Sequence, residues 1–344
     1  MSIRVAVVVT VLNEAATIAD LLDSLAAQTR LPDEVIIADG GSTDGTLEIL
    51  AAYQGPLPLR VVHVPGANIS EGRNAAIRAA RATIVACTDA GVRLSPTWLE
   101  HLLAPWERSS HPPPAVAGFF LPDPRSTFEL ALAATTLPLR EEIVPERFLP
   151  SSRSVAFRRE TWERVGGYPE WLRYSEDVVF DLRVRSLVGD FAWAPDAVVF
   201  FRPRTSLRAY FRQYRNYAFG DGQADLWRLR HLIRYTTYLV VLPLLLLGGL
   251  YIHPLLWVGL ALGVLVYARR PWWRLARMGE GFSRGQRWVA ALWVPVLRAV
   301  GDIAKMVGYP QGVWWRYRHR EDPRIHWRRD LPRQVGGSSG GKLV

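Results

Sequence analysis

Through the first hundred residues, short apolar runs rich in β-branched side chains alternate with stretches whose apolar positions recur every three to four residues. Val5 to Val11, Glu34 to Ala38, Leu59 to Val64 and Thr83 to Thr88 read as strands. Ala15 to Gln28, Thr46 to Ala52 and Ser70 to Arg81 read as helices. Strands separated by helices predict an α/β fold with a mostly parallel sheet flanked by helices. In such a sheet the ligand lies beyond the C-terminal strand ends. Pro112-Pro113-Pro114 marks a loop, and residues 151–200 continue the globular pattern.

The pattern then changes. Residues 235–268 form a run of 34 positions without Asp, Glu, Lys or Arg. Arg228, Arg230 and Arg234 precede it, Arg269 and Arg270 follow it, and Tyr251-Ile252-His253-Pro254 offers a turn at its centre. Each arm is about 17 residues, at the lower edge of what crosses a bilayer, so two short transmembrane helices and a re-entrant hairpin both fit. A core hairpin is the alternative without a membrane. Arginine on both flanks puts both ends on the cytoplasmic side. A further helix is expected over residues 287–307. Arg298, Asp302 and Lys305 form one hydrophilic stripe on its Trp/Val/Leu body, which suits a helix lying in the membrane interface, kinked at Pro295. The expected organisation is a catalytic domain over 1–225, a membrane-associated α-helical module over 226–333, and a flexible tail over 334–344 containing the Gly336 to Gly341 stretch.

Charge sharpens this division. Residues 1–201 hold 18 Lys and Arg against 25 Asp and Glu, whereas residues 202–333 hold 23 against 7. The basic surplus belongs to the segment that carries the apolar run, which favours anionic membrane lipids as partner and not nucleic acid. The single cysteine, Cys87, excludes an internal disulfide and a cysteine zinc site and fits a reducing, cytoplasmic setting. Met1 leads directly into the first strand, which is too short for a signal peptide.

The candidate chemistry sits at strand ends. Val9-Thr10-Val11-Leu12-Asn13-Glu14 closes the first strand, and Asp39-Gly40-Gly41-Ser42-Thr43-Asp44-Gly45-Thr46 follows the second. Small residues such as Thr10 and Gly41 let a ligand approach the backbone, while Glu14 and Asp39 can accept hydrogen bonds from a base or ribose. The plain alternative is a Gly/Ser/Asp turn with Asp44 or Ser42 capping the next helix. Further on come Arg73-Asn74 at a helix start, Asp89-Ala90-Gly91 at a strand end, and Glu176-Asp177 after Val165-Gly166-Gly167-Tyr168.

Taken in this order, these segments resemble the inverting family 2 glycosyltransferases. The Asp39 to Thr46 run is similar to that family's Asp-Asp-Gly-Ser-Thr-Asp-Gly-Thr, with Gly40 in place of the second Asp. The resemblance covers roughly residues 1–225 and implies a GT-A, Rossmann-like fold. It implies that Thr10, Asn13, Glu14, Asp39, Gly41, Arg73, Asn74 and Asp89 bind the nucleotide of a UDP- or GDP-linked sugar. Asp177 would be the base that deprotonates the acceptor hydroxyl, with Glu176 positioning the acceptor or the base. Asp89 would hold Mg²⁺ or Mn²⁺, although the usual Asp-x-Asp ends here in Gly91 and one hard oxygen ligand is missing. Arg202 and Arg204 stand near where family members place a metal-binding His. Either they supply charge to the diphosphate or they belong to a basic face near the membrane. Gln213 and Tyr217 lie in a stretch faintly similar to the Gln-x-x-Arg-Trp signature of processive synthases, with Asn216 and Tyr217 where Arg and Trp stand. They are candidates for the acceptor side, and an amphipathic helix is the alternative. The expected activity is sugar transfer to a lipid-linked or saccharide acceptor at the cytoplasmic membrane face, in cell-envelope polysaccharide synthesis. Two rivals are a nucleotidyl- or phosphotransferase, which would call for a phosphate-loop lysine that the first 300 residues lack, and a non-catalytic membrane scaffold.

Overall fold

The computed structural model describes residues 3–329 and 331. The expected tail at 334–344 lies outside them. Among the described residues the chain divides into two units, with breaks at Asp123/Pro124, Leu139/Arg140, Arg202/Pro203 and Ile325/His326.

The first unit is a mixed sheet with helices on both faces. Its strands are β1 (Val5–Val11), β2 (Glu34–Asp39), β3 (Leu59–His63), β4 (Ile84–Asp89), β5 (Val92–Leu94), β6 (Ala115–Pro122), β7 (Val155–Arg158) and β8 (Phe191–Phe201), in the order β3-β2-β1-β4-β7-β6-β8-β5. Strands β1 to β4 pair in parallel, β7 runs antiparallel to β4 and β6, and β5 runs antiparallel to β8. The helices of this unit are α1 (Ile18–Ala26), α2 (Thr46–Ala51), α3 (Ile69–Ala79), α4 (Trp98–Arg108), α6 (Arg159–Val165) and α7 (Glu176–Leu187). A further helix, α5 (Thr127–Thr136), belongs to the second unit.

Side-chain alternation explains the layering. Val5, Val7, Val9 and Val11 of β1 point into a core completed by α1 and α4, while Ala6 and Val8 point to the opposite core with α3, α6 and α7. With both faces covered, the central strands read as continuous apolar runs. Cys87 of β4 is buried in the second core, where desolvation pushes its thiol up to about 12.

The second unit is helical: α5, α8 (Leu207–Gln223), α9 (Arg228–Thr236), α10 (Leu242–Tyr251), α11 (Leu256–Met278) and α12 (Arg284–Arg318). A catalytic domain ending at 225 is therefore not how the chain divides. Leu130, Ala131, Leu132 and Ala134 of α5 pack with Tyr210, Leu275, Ala290 and Leu297, which draws α5 and α8 into the helical unit. Gly308 and Gly312 let α12 touch α8 backbone to backbone, since a Cβ at either would lie 2.0 Å from the carbonyl oxygen of Arg215 or Phe219.

The apolar run folds as two arms meeting at residues 252–255, where the turn was expected. The first is longer than expected. With a π turn at Thr237–Val241 joining α9 to α10, Arg228–Tyr251 is one 24-residue helix. By length and composition it is the one helix among the described residues that could cross a membrane.

The expected stripe on α12 is turned around. Asp302 accepts from Arg234 Nε at 2.7 Å and from the Tyr267 hydroxyl, Arg298 stacks over Tyr267, and Lys305 lies 5.0 Å from the Tyr214 ring centre. These polar groups face the other helices, while Trp288, Leu292, Val296, Ile303 and Val307 are exposed. The ion pair to Arg234 draws the charges inward and leaves the apolar side out.

Candidate active site

Strand register places the acidic strand ends side by side. Thr10 pairs with Asp89 of β4 and Val11 with Asp39 of β2, so both carboxylates flank the end of β1. Side chains zip the two loops beyond. Asn13, in a left-handed conformation (φ 58°), accepts from Thr43 N at 2.8 Å and donates its own N–H to Ser42 Oγ at 2.9 Å. Glu14 N donates to Thr46 Oγ1, and Ala15 N to the Asp44 carboxylate. Asp39 is 1% exposed, and its carboxylate accepts from the N–H groups of Gly41 and Ser42, so it shapes the turn around Gly41 (φ +100°).

Helix α3 begins with a capping box, Asn68 and Glu71 each accepting the other's backbone N–H. Gly72 then brings its first turn against Thr10; a Cβ there would lie 3.2 Å from Thr10 Cγ2. That approach delivers Arg73 beneath the strand ends. The buried guanidinium sits 4.7 Å from the Tyr168 ring centre, with Nη1 3.2 Å from Glu176 Oε1 and Nη2 3.6 Å from Asp89 Oδ1. Burial opposes its charge, but Tyr168, Glu176 and Asp89 outweigh that and hold its pKa above the ordinary value.

Glu176 and Asp177 open α7 behind Ser175, itself left-handed (φ 61°). Glu176 is buried and Asp177 is partly exposed. Burial, then the charge of Asp177, raises Glu176 to about 7 against the pull of Arg73. Burial also raises Asp177, countered by Arg73 and Arg153. One turn on, Asp181 is 2% exposed and is raised well above the carboxylate range by burial and by Asp177. Asp89 and Glu176 thus flank Arg73, with Asp177 and Asp181 on the same helix as Glu176, and burial favours the protonated forms of Glu176, Asp177 and Asp181.

Residues 6–130 match the family described as glycosyl transferase family 2. Succinoglycan biosynthesis protein ExoA of Rhizobium meliloti is 30% identical over 237 residues, covering 63% of this chain and 68% of that protein. The chain belongs to glycosyl transferase family 2. Validoxylamine A glucosyltransferase of Streptomyces hygroscopicus subsp. limoneus is 33% identical over 102 residues, 28% of this chain and 22% of that protein, so the chain spans under a quarter of this relative's length. Among solved structures, the mannosyltransferase PcManGT from Pyrobaculum calidifontis, in complex with GDP-Man and Mn²⁺, aligns with a TM-score of 0.53 at 22% identity, covering 89% of this chain and 87% of that one. This likeness establishes the GT-A-like fold.

In this member of the family, several of the expected site residues are engaged inside the protein. Asn74 is a clamp. Its Nδ2 donates to Tyr168 O and Glu170 Oε1 and its Oδ1 accepts from Trp162 Nε1 and Tyr168 N, so all four hydrogen-bonding positions are spent inside the protein. Arg73 likewise binds carboxylates internally; its first-turn position does not present it to solvent, because Gly72 seats the helix on the strand end. Asp44 precedes the N-cap of α2, which is Gly45 without a side-chain cap, and its carboxylate closes the turn by accepting from Thr46 N at 3.1 Å. Arg202 is exposed one residue past Phe201, which pairs with Val92 just beyond Gly91. Arg204, Gln213 and Tyr217 belong to the helical unit, where Gln213 Nε2 donates to Tyr217 Oη at 2.8 Å.

Two residues escaped the sequence reading. Asp181 follows Asp177 by four positions on one helix, a legible spacing. Arg153 stands in the Ser151-Ser152-Arg153-Ser154 turn before β7, where nothing in the local pattern marks it.

Proposed function

We propose that this chain transfers a sugar from a UDP- or GDP-linked donor, with inversion, to a lipid-linked or saccharide acceptor at the cytoplasmic face of the cell membrane. The reading rests on one observation: Glu176, Asp177 and Asp89 converge on Arg73 at the C-terminal edge of the parallel strands. Asp177, the more accessible of the pair, accepts the proton of the acceptor hydroxyl. The hydroxyl oxygen attacks the anomeric carbon, and the bond to the diphosphate breaks, with its electron pair leaving on the nucleoside diphosphate. Thr10, Asn13, Glu14 and Gly41 form the loops against which the nucleoside rests, and Asp39 sets their shape.

A tightly held Mg²⁺ or Mn²⁺ fits the Asp89 surroundings poorly. The donor set is one carboxylate, with Arg73 at 3.6 Å and Arg153 at 3.2 Å on its two oxygens. No group of three His, Cys, Asp or Glu suited to a metal occurs among the described residues. A hard cation calls for several oxygen ligands and is repelled by adjacent guanidinium groups, so no step is assigned to it. The exposed Arg202 remains a candidate for neutralising the diphosphate.

Membrane attachment is supported by the inverted helices. Leu229, Leu232, Ile233, Leu239 and Val240 are exposed, while His231 and Arg234 turn inward. Exposed apolar surface this extensive, on a strongly basic segment, suits a lipid bilayer with anionic headgroups. The discriminating experiment measures UDP or GDP release from a panel of nucleotide sugars, with and without lipid extract in anionic vesicles. Release that rises severalfold with lipid, together with cosedimentation with the vesicles, is expected. Failure to turn over any donor would leave the scaffold reading, and turnover indifferent to lipid would remove the lipid acceptor.

The raised carboxylates give a pH prediction. A base must be ionised, so kcat/KM falls as pH drops through the titration of the Glu176–Asp177 pair, which burial shifts upward. In Glu176→Gln a like charge is removed and Arg73 is left to Asp177, so the acidic limb of the pH–rate profile moves to lower pH. A limb that stays put or rises argues against coupling between the two groups.

A further inference from the structure

Helices α11 and α12 are tied together by Trp272, whose Nε1 donates to Ala291 O at 2.9 Å. Beside that tie a groove of about 540 Å³ opens between the two helices, wholly within the helical unit. Trp272, Leu275 and Ala276 of α11 line one side at i, i+3, i+4 spacing. On α12 the lining face begins with Arg284 and Arg287 and continues with Trp288 and Leu292. The groove is therefore cationic at the start of α12 and apolar beyond it, over about 12 Å at 1.5 Å of rise per residue. Its cations have donors to spare. Arg287 spends Nε on Phe282 O at 3.0 Å, and neither its Nη groups nor Arg284 has a polar partner among the described residues. Trp288 and Leu292 are each 73% exposed, so the described chain leaves their apolar area uncovered. The flanking sequence has the same two-sided chemistry. Residues 269–287 hold six arginines against one glutamate, and on α11 they follow the exposed Val258, Leu262, Leu265 and Val266.

We infer that this groove binds one anionic phospholipid of the membrane, its phosphate on Arg284 and Arg287 and the upper part of an acyl chain against Trp272, Trp288 and Leu292. Only an amphiphile of negative charge satisfies both ends. An acidic peptide or a nucleic acid would leave the indoles and Leu292 uncovered, and a zwitterionic headgroup offsets its phosphate with its own cation. Guanidinium groups match phosphate oxygens with paired N–H donors, and indole rings favour the depth where headgroup meets chain. A lipid held this way fixes the depth at which α11 and α12 sit in the bilayer. The inference rests on the membrane reading above and deepens it, naming the lipid class and the residues that hold it.

Native mass spectrometry of the full chain tests it, in detergent with equal amounts of phosphatidylglycerol and phosphatidylcholine. The wild type is expected to retain one phosphatidylglycerol with roughly tenfold preference, the scale of a charge-assisted contact. Arg284→Gln combined with Arg287→Gln should bring that preference under about twofold. Arg269→Gln with Arg270→Gln removes the same charge from exposed positions outside the groove and should leave the preference intact. Ala276→Trp keeps both cations but fills the groove, and should cut lipid retention roughly tenfold. Glycerol phosphate, which offers the phosphate without chains, should bind roughly tenfold more weakly than the lipid. No preference in the wild type, an equal fall in both double variants, undiminished retention by Ala276→Trp, or glycerol phosphate binding as tightly as the lipid would each overturn the inference and leave membrane attachment standing. A wild-type chain that retains neither lipid and does not cosediment with phosphatidylglycerol vesicles removes the membrane reading first, and the inference with it.

Discussion

Asp177→Asn is expected to lower kcat by roughly 10²–10⁴-fold, the usual contribution of a positioned general base, and to leave nucleoside diphosphate affinity nearly unchanged. The amide has the carboxylate's shape, and its oxygen can keep the 2.8 Å hydrogen bond from Val178 N. What it cannot do is take a proton. The substitution also removes a charge that burial disfavours, beside Glu176 and Asp181. The unfolding midpoint should therefore not fall, and lost turnover cannot be blamed on a lost fold. Single-turnover product formation measured beside UDP and GDP binding separates the two effects, and near-normal turnover would strip Asp177 of its assigned role.

How much of this was legible from residues alone depends on the range of the interactions. β1, β2 and β4 were visible because burial on both faces demands unbroken apolar runs, and the loop residues beside them because turn geometry demands Gly, Ser and Asp. Local rules sufficed. The roles of Arg73 and Asn74 were not legible, since they depend on Tyr168, Glu170 and Glu176, about a hundred positions away and brought near only by the sheet. Alone, an arginine in a first helical turn reads as a surface cation. With Gly72 packed on Thr10 it becomes the buried counter-charge of two carboxylates. Arg153 was invisible for the same reason, the serines on either side of it being anchored by Trp98, Tyr168 and Ala197 from three other segments. The α12 stripe was found but assigned to the wrong side, because periodicity says which residues share a face and never which face meets solvent. In an ordinary soluble helix the charges would be outside; here Arg234 and Tyr267 hold Asp302 within.

Arg73→Met should be the most destabilising single change in the catalytic unit. The side chain is 4% exposed and faces Glu176 and Asp89, so its loss leaves a buried carboxylate without its cation. Removing one partner of such a pair costs about 3–5 kcal/mol, which for a unit of this size lowers the melting midpoint by on the order of 10 °C. The penalty has a sign in pH. Glu176 already titrates above the ordinary carboxylate range, and without Arg73 it moves higher still, so its ionised form is disfavoured in the folded protein. The part of the deficit owed to Glu176 therefore grows as pH rises above about 7, where the wild type ionises and the variant resists, and shrinks below it, where Glu176 is protonated in both folded proteins. Combining Arg73→Met with Glu176→Gln should recover part of the loss, because the stranded charge is gone. Urea unfolding of the wild type, the two single variants and the double variant at pH 5 and 8 measures each of these terms. If Arg73→Met unfolds at the wild-type midpoint at pH 8, the guanidinium is not what reconciles these acids with burial, and the strand-end cluster must owe its stability to something other than this ion pair.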